Sequence, residues 1–277
     1  MSTEPTNSEV HNTLRDLIIL GTGRSGTSML TRMFRHTHYT GDNYLEPDPN
    51  NPTGFFEDSR VNDINERILW RFASIGLPTR LGLPGPIPNR RLGLLWLATP
   101  NTAFHLGVPP ACLERMEELC AKRPFCYKDP RFTYTLPYWE PLLPSGVRKL
   151  VMFRSRERTV PSMQRALREM SDVTGVSDEY LARHWRTSYT KLLRMAQRRR
   201  DEWLFVSYED LASGKAIAAI EGFCECETDT QHLDAKISRT SDSPSEPSDD
   251  RVFTQLLRAA ADDLAKWSPS VAHPAAT

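Results

Sequence analysis

The chain is poor in lysine, poor in cysteine and without net charge. Seven of its 35 basic residues are lysine and the rest are arginine. Arginine's planar fork suits bidentate anion recognition, although a compositional bias of the genome accounts for most of the arginines equally well. With 35 acidic residues against 35 basic ones, the totals give no sign of a nucleic-acid or acidic-surface partner. Five cysteines (Cys112, Cys120, Cys126, Cys224 and Cys226) are odd in number and too sparse for a disulfide framework or paired zinc ligands. No hydrophobic run approaches the length of a membrane span. Met1 to Asn12 is polar and lacks the apolar core of a signal peptide. Together these absences set the expectation of a soluble, cytoplasmic protein. At 277 residues the chain is one large domain or two small ones, with room for a core of ordinary size.

What is present is concentrated near the start. Leu17-Ile18-Ile19-Leu20 is a short apolar run that reads as a buried strand. Gly21-Thr22-Gly23-Arg24-Ser25-Gly26-Thr27-Ser28 follows, and a helix then opens with Met29, Leu30, Met33 and Phe34 on one face. A glycine-rich turn between a strand and a helix is an anion site, because the backbone can approach the ligand and the first-turn N–H groups point at it. Arg24 adds a cation and Thr27 and Ser28 add hydroxyls. Three ligands suit the pattern. Gly21, Gly23 and Gly26 match the dinucleotide signature, and Gly21 and Gly26 match the P-loop spacing, but Thr27 occupies the P-loop lysine position. The third ligand is the 5'-phosphosulfate of 3'-phosphoadenosine-5'-phosphosulfate (PAPS).

Further along, Asp42 to Ser59 is irregular, rich in proline and asparagine, and carries Glu46 and Glu57. A helix follows with Val61, Ile64, Ile68 and Leu69 at helical spacing, capped by Asp58 or Ser59. The stretch 78–110 is too dense in proline and glycine for a long helix and suits a lid or pocket wall, or a plain surface excursion. Leu113, Met116 and Leu119 mark a helix, and Phe125-Cys126-Tyr127 a second strand running into Lys128-Asp129-Pro130-Arg131. Lys149 to Phe153 is a third strand, ending in Arg154, with a helix behind it that places Pro161 in its first turn and Ser162 eight residues after Arg154. Tyr180 to Arg200 is a long helix, Trp203 to Ser207 a fourth strand, Ala216 to Phe223 a short helix, and Val252 to Trp267 the last. Strands alternating with helices imply an α/β fold: a single P-loop-like domain, with a mainly parallel sheet flanked by helices. The expected layout is a mobile lead-in over 1–14, the domain over 15–267 with a low-complexity segment at 228–250, and a tail over 268–277.

The loop with Arg24-Ser25-Gly26-Thr27, the Arg154…Ser162 spacing and Val206-Ser207-Tyr208-Glu209-Asp210-Leu211 together resemble the PAPS-dependent sulfotransferase family. The likeness is to the bacterial and Golgi-type branches, whose loop has arginine in place of lysine. Asn51-Pro52-Thr53-Gly54-Phe55-Phe56-Glu57-Asp58 and Lys128-Asp129-Pro130-Arg131 are similar to stretches of the bacterial members. The resemblance covers roughly Asp16 to Leu211, in order.

It implies in-line transfer of a sulfuryl group from PAPS to a hydroxyl or amine of a small-molecule, glycan or lipid acceptor, with no metal and no nucleic-acid partner. Gly23, Arg24, Ser25, Gly26, Thr27 and Ser28 would hold the 5'-phosphosulfate, with Arg24 on the leaving oxygen. Arg154 and Ser162 would hold the 3'-phosphate, and Tyr208 would lie near adenine. The C-terminal element closing on the 3'-phosphate departs from the family pattern, and Arg239 is the nearest candidate. Glu57 is the first choice of base and Glu46 the rival; either could instead cap a helix or pair with an arginine. Lys128 would reach the sulfuryl oxygens, Arg131 would hold acceptor or cofactor, and His36, His38 and His105 are further candidate bases. A P-loop-type kinase and a non-catalytic nucleotide-binding module are the alternatives. A dehydrogenase would want an acidic residue about 20 positions beyond the loop, where only Asp42 in poor strand sequence is offered.

Overall fold

Four parallel strands form one sheet in the order β2-β1-β3-β4. They are β1 (Leu17–Leu20), β2 (Cys126–Lys128), β3 (Arg148–Phe153) and β4 (Trp203–Ser207). The computed structural model describes residues 14–41, 54, 56–74, 95–99, 107–169, 175–231, 233 and 250–268. The expected lead-in, most of 78–110 and of the low-complexity segment, and nearly all of the tail lie outside these residues.

Both faces of the sheet are covered, which is why its strands read as unbroken apolar runs. All four side chains of β1 are fully buried. Ile18 and Leu20 point to one side, with Tyr127, Val151, Phe153 and Phe205. Leu17 and Ile19 point to the other, with Cys126, Leu150, Met152 and Leu204. On the first side lie α2 (Ser59–Ser74), α3 (Pro110–Cys120), α4 (Phe132–Trp139) and α6 (Asp178–Ala196). On the second lie α1 (Thr27–Arg32) and α8 (Ile217–Cys224). The helix after β3, α5 (Arg156–Glu169), packs on α6 with Val160, Met163 and Leu167 around Leu181.

The strands fall where the apolar runs place them, within a residue at each end. Several helical features differ from expectation. The first helix ends at Arg32, and the chain runs on to His38 in tight turns such as Phe34 N to Thr31 O at 3.1 Å. α4 was not expected, because Pro137 sits inside it. α5 begins at Arg156, so Pro161 and Ser162 fall in its second turn rather than its first. Ser162 is therefore no N-cap.

The open edge of β4 is closed by the last helix, α9 (Arg251–Trp267). An exposed edge presents unpaired N–H groups that invite other chains. Here Asp263 on α9 accepts the Phe205 N–H at 2.7 Å and pairs with Arg200 at 2.6 Å. The long helix ends at Ala196, short of the expected Arg200, and Arg200 serves β4 from a 3-10 turn, Arg200–Glu202. Asp263→Ala should strip both donors of their partner and lower stability by about 1–3 kcal/mol. A urea midpoint unchanged by the substitution would show that the carboxylate does not hold the edge.

Candidate active site

The order β2-β1-β3-β4 means that the connections leaving β1 and β3 run to opposite sides of the sheet, and open α/β sheets hold ligands at such a point, beyond the carboxyl ends of the strands. The glycine loop emerges there. A Cβ on Gly21, whose φ is +144°, would lie 2.3 Å from the Met152 carbonyl oxygen of β3. Only glycine lets the turn after β1 come this close to its neighbour. The Ser25 hydroxyl donates to the Thr22 carbonyl at 2.7 Å and closes the turn. Arg24, at the apex, has a φ of 69°. That left-handed conformation costs a non-glycine residue roughly 1–2 kcal/mol. The arginine is held there nonetheless, and its Nε donates to the Ser162 hydroxyl at 3.3 Å.

The next strand end joins the same place. Arg154 directly follows β3, and its guanidinium carbon lies 4.2 Å from the ring centroid of Tyr208. Tyr208 opens α7 (Tyr208–Ala212) straight after β4, and its ring would lie 2.7 Å from a Cβ on Gly26. Tyr208 thus lies between the loop and Arg154. Burial pulls the pKa of Arg154 below its ordinary value, a strain on its charge that a bound anion relieves.

One side chain ties these strand ends together. Tyr189 on α6 is fully buried and donates its hydroxyl hydrogen to the Met152 carbonyl at 2.9 Å. The same oxygen lies 3.4 Å from the Thr22 N–H, which donates to it, and 3.3 Å from the Thr22 hydroxyl. At sequence level Tyr189 was one aromatic on the apolar face of a helix, and nothing in its spacing showed that its hydroxyl braces the loop.

A second group of charges approaches the loop from β2. Lys128 Nζ donates to the Ser28 hydroxyl at 3.4 Å and forms an ion pair with Glu57. Both partners are buried. Asn62, one turn into α2, donates to the other oxygen of Glu57 at 2.8 Å and fixes the carboxylate. Burial raises the pKa of Glu57 against the opposing pull of Lys128. Buried ion pairs are weak sources of stability, because desolvation offsets the attraction. A buried carboxylate with raised pKa beside a cation and an anion loop is instead a candidate proton acceptor. Glu57 neither caps α2 nor pairs with an arginine; Asp58 takes the cap, accepting from Arg60 N at 2.8 Å.

Asp129 and Arg131 do a different job. Arg131 donates to Glu66 at 2.5 Å and to Asp129 at 3.0 Å. Asn65 donates to Asp129 at 2.9 Å and accepts from the Trp139 indole at 2.9 Å. Arg131 is tied into a buried lattice joining α2 to α4. His38 is also structural. Its ring nitrogens meet Thr37 Oγ1 at 2.8 Å and the Arg15 carbonyl at 2.9 Å, and Arg15 precedes β1, at the opposite end from the loop. His36 pairs with Asp229 at 3.4 Å. Glu46, Arg239 and His105 lie outside the described residues. Among the described residues no group of three or more His, Cys, Asp or Glu is placed to hold a metal ion, and no helix is long and apolar enough to cross a membrane.

No protein-family model matches the chain, and no curated protein matches it. Among solved structures it is similar to a sulfotransferase domain from the curacin biosynthetic pathway, at 13% identity over 88% of this chain and 98% of that one, with a TM-score of 0.48. A sulfotransferase domain from the Synechococcus PCC 7002 olefin synthase is 21% identical over 95% and 90%, with a TM-score of 0.43. A sulfotransferase from Alicyclobacillus acidocaldarius is 15% identical over 91% and 94%, with a TM-score of 0.46. Likeness of this degree assigns no role to any residue.

Tyr189→Phe should leave the sheet folded and loosen the loop. Amide hydrogen exchange at Thr22 should quicken, and stability should fall by about 1–2 kcal/mol for the lost hydrogen bonds. Unchanged exchange at Thr22 would mean that the hydroxyl does not brace the turn.

Proposed function

We propose that the chain is a sulfotransferase that takes its sulfuryl group from PAPS and delivers it to a hydroxyl or amine of a small-molecule, glycan or lipid acceptor. The observation that carries this reading is the contact between Arg24 and Ser162. It joins the loop after β1 to the helix after β3, so one ligand with an anionic group at each end can engage both.

In this reading the loop from Gly23 to Ser28 grips the 5'-phosphosulfate, and Arg24 stabilises the charge that gathers on the oxygen left behind as the S–O bond breaks. Arg154 and Ser162 take the 3'-phosphate, which relieves the buried guanidinium. Tyr208, already packed on Arg154, offers its ring to adenine, and Arg239 is the candidate closing group. Lys128 bridges the loop and Glu57, and so stands where it can neutralise the sulfuryl oxygens during transfer. Glu57 takes the proton of the acceptor hydroxyl as the new S–O bond forms, with Asn62 keeping the carboxylate in one orientation. Glu46 remains the rival base.

A P-loop kinase is the second reading, and one observation favours it. Lys128 brings an ammonium to the loop's Ser28 from the neighbouring strand, where Thr27 supplies none. Magnesium-dependent turnover of ATP separates the two.

Adenosine 3',5'-bisphosphate should bind at least about tenfold more tightly than AMP, a difference of about 1.4 kcal/mol. Equal affinities in a calorimetric titration would remove the 3'-phosphate site and the proposal with it. Arg24→Gly should retain or raise stability, since glycine accepts the left-handed backbone freely, while transfer from PAPS is lost. An unaltered rate would take Arg24 out of the chemistry.

The base leaves a signature in pH. Glu57 accepts a proton only when ionised, so the rate is full above its pKa and falls as pH drops through it. Because burial raises that pKa above its ordinary value, the acid limb of kcat/KM should lie above the usual carboxylate range. Glu57→Gln should lower kcat by about 10²–10⁴-fold and leave adenosine 3',5'-bisphosphate binding intact. A limb that persists in the variant would transfer the role to another group.

A further inference from the structure

Tyr180, His184 and Ser188 recur every four residues on α6 and therefore share one face. Their hydroxyl-bearing members show what covers that face. Tyr180 donates to the Leu97 carbonyl at 2.8 Å, and Ser188 meets the Tyr134 hydroxyl at 3.2 Å. His184 lies between them on that face. Its residue is 2% exposed, and neither ring nitrogen has a hydrogen-bond partner among the described residues. Burial pushes its pKa down to about 4, so at neutral pH the ring is uncharged, with one donor and one acceptor. Leaving a buried polar group unmatched costs about 1–3 kcal/mol, and such a group calls for an explanation.

The ring's surroundings place it at the active site's edge. The next residue, Trp185, donates its indole N–H to the Arg154 carbonyl at 3.1 Å, so His184 lies level with the end of β3. The 3-10 turn Leu95–Leu97 carries Trp96, whose ring would lie 2.6 Å from a Cβ on Gly23. Tyr134 belongs to the helix that follows Lys128 and Arg131. Apart from Lys191, whose ammonium lies 5.6 Å from the Tyr134 ring centroid, the same junction is apolar: Leu69, Leu95 and Ala98 cluster with Tyr134, and Leu97 packs with Leu181.

We propose that His184 is an acceptor-binding residue and that the acceptor is a largely apolar alcohol. The inference rests on the sulfotransferase reading and narrows its acceptor. One hydroxyl of the alcohol completes the unmatched imidazole, and its carbon skeleton lies against Leu97, Ala98 and Tyr134. A sugar would bring several hydroxyls to a wall that can satisfy few of them.

Calorimetry with 1-octanol and with glucose, each in the presence of adenosine 3',5'-bisphosphate, tests this. The natural chain should bind 1-octanol at least about tenfold more tightly than glucose. His184→Phe should lower 1-octanol affinity by about tenfold with the nucleotide affinity unchanged, and His184→Gln, which keeps a donor and an acceptor, should restore most of it. In the natural chain the His184 imidazole resonance, assigned by its loss in His184→Gln, should shift on adding 1-octanol even if His184→Phe fails to fold. A resonance that does not respond, a folded His184→Phe that binds 1-octanol undiminished, or stronger binding of glucose overturns the inference. If 1-octanol binding depends on His184 while the nucleotide fails to bind at all, the pocket stands and the sulfotransferase reading falls.

Discussion

The approach of Gly21 to the Met152 carbonyl, where a Cβ would sit at 2.3 Å, sets the geometry of everything around it. Parallel neighbours in a sheet are fixed by their hydrogen bonds, and β1 and β3 are in register from Leu17 against Arg148 to Leu20 against Val151. Their carboxyl ends therefore emerge side by side. A glycine at the first position of the turn converts that proximity into contact, and the Tyr189 hydroxyl pins it by serving Met152 and Thr22 at once. The loop cation Arg24 and the groups that follow β3 then share one ligand space as a consequence of strand order rather than of any long-range device. The strain at Arg24 is tolerable because the surrounding turn is already fixed on both sides.

Two sets of buried charges lie near one another and differ in kind. In the lattice of Asp129, Arg131 and Glu66, burial works against the charge on Arg131, yet Asp129 and Glu66 outweigh it and raise its pKa. Asn65 and Trp139 extend that lattice into the helices. It is a joint between α2 and α4. The pair of Lys128 and Glu57 has the reverse balance. Desolvation wins at Glu57 and raises its pKa although a cation touches it, and the lysine is shared with a loop hydroxyl. The first arrangement spends its charges on holding helices; the second keeps a proton-accepting group beside an anion loop. Sequence spacing could not separate them, since Lys128, Asp129 and Arg131 stand together in one short run.

How much was legible follows from which forces act locally. Buried parallel strands advertise themselves as apolar runs, and β1 and β4 match theirs residue for residue. The glycine loop was visible because its backbone demands glycine at fixed places. Glu57, Lys128, Arg154, Ser162 and Tyr208 were named from a resemblance, and the fold brings them to the loop in a chain of direct contacts. The ion pair of Arg131 was not legible because its partner Glu66 lies 65 positions away. Helix α4 was missed because proline normally argues against a helix interior. Tyr189, Asn62 and His184 could not be singled out: each looks like an ordinary helical residue, and each acquires meaning only from what the tertiary fold sets opposite its polar atom.

Burial also acts in opposite senses on the two titratable groups that the proposed reading assigns to the acceptor. Desolvation penalises whichever form carries charge. At Glu57 the charged form is the base, so burial makes it hold a proton more tightly and improves it as an acceptor. At His184 the charged form is the acid, so the same burial makes the imidazole a poorer base, with its pKa near 4. Burial thus pushes a carboxylate towards holding a proton and an imidazole towards neutral hydrogen bonding. This divergence is the general mark of acid–base assignment in a buried site. Within the proposed reading it favours Glu57 for the chemistry and His184 for recognition.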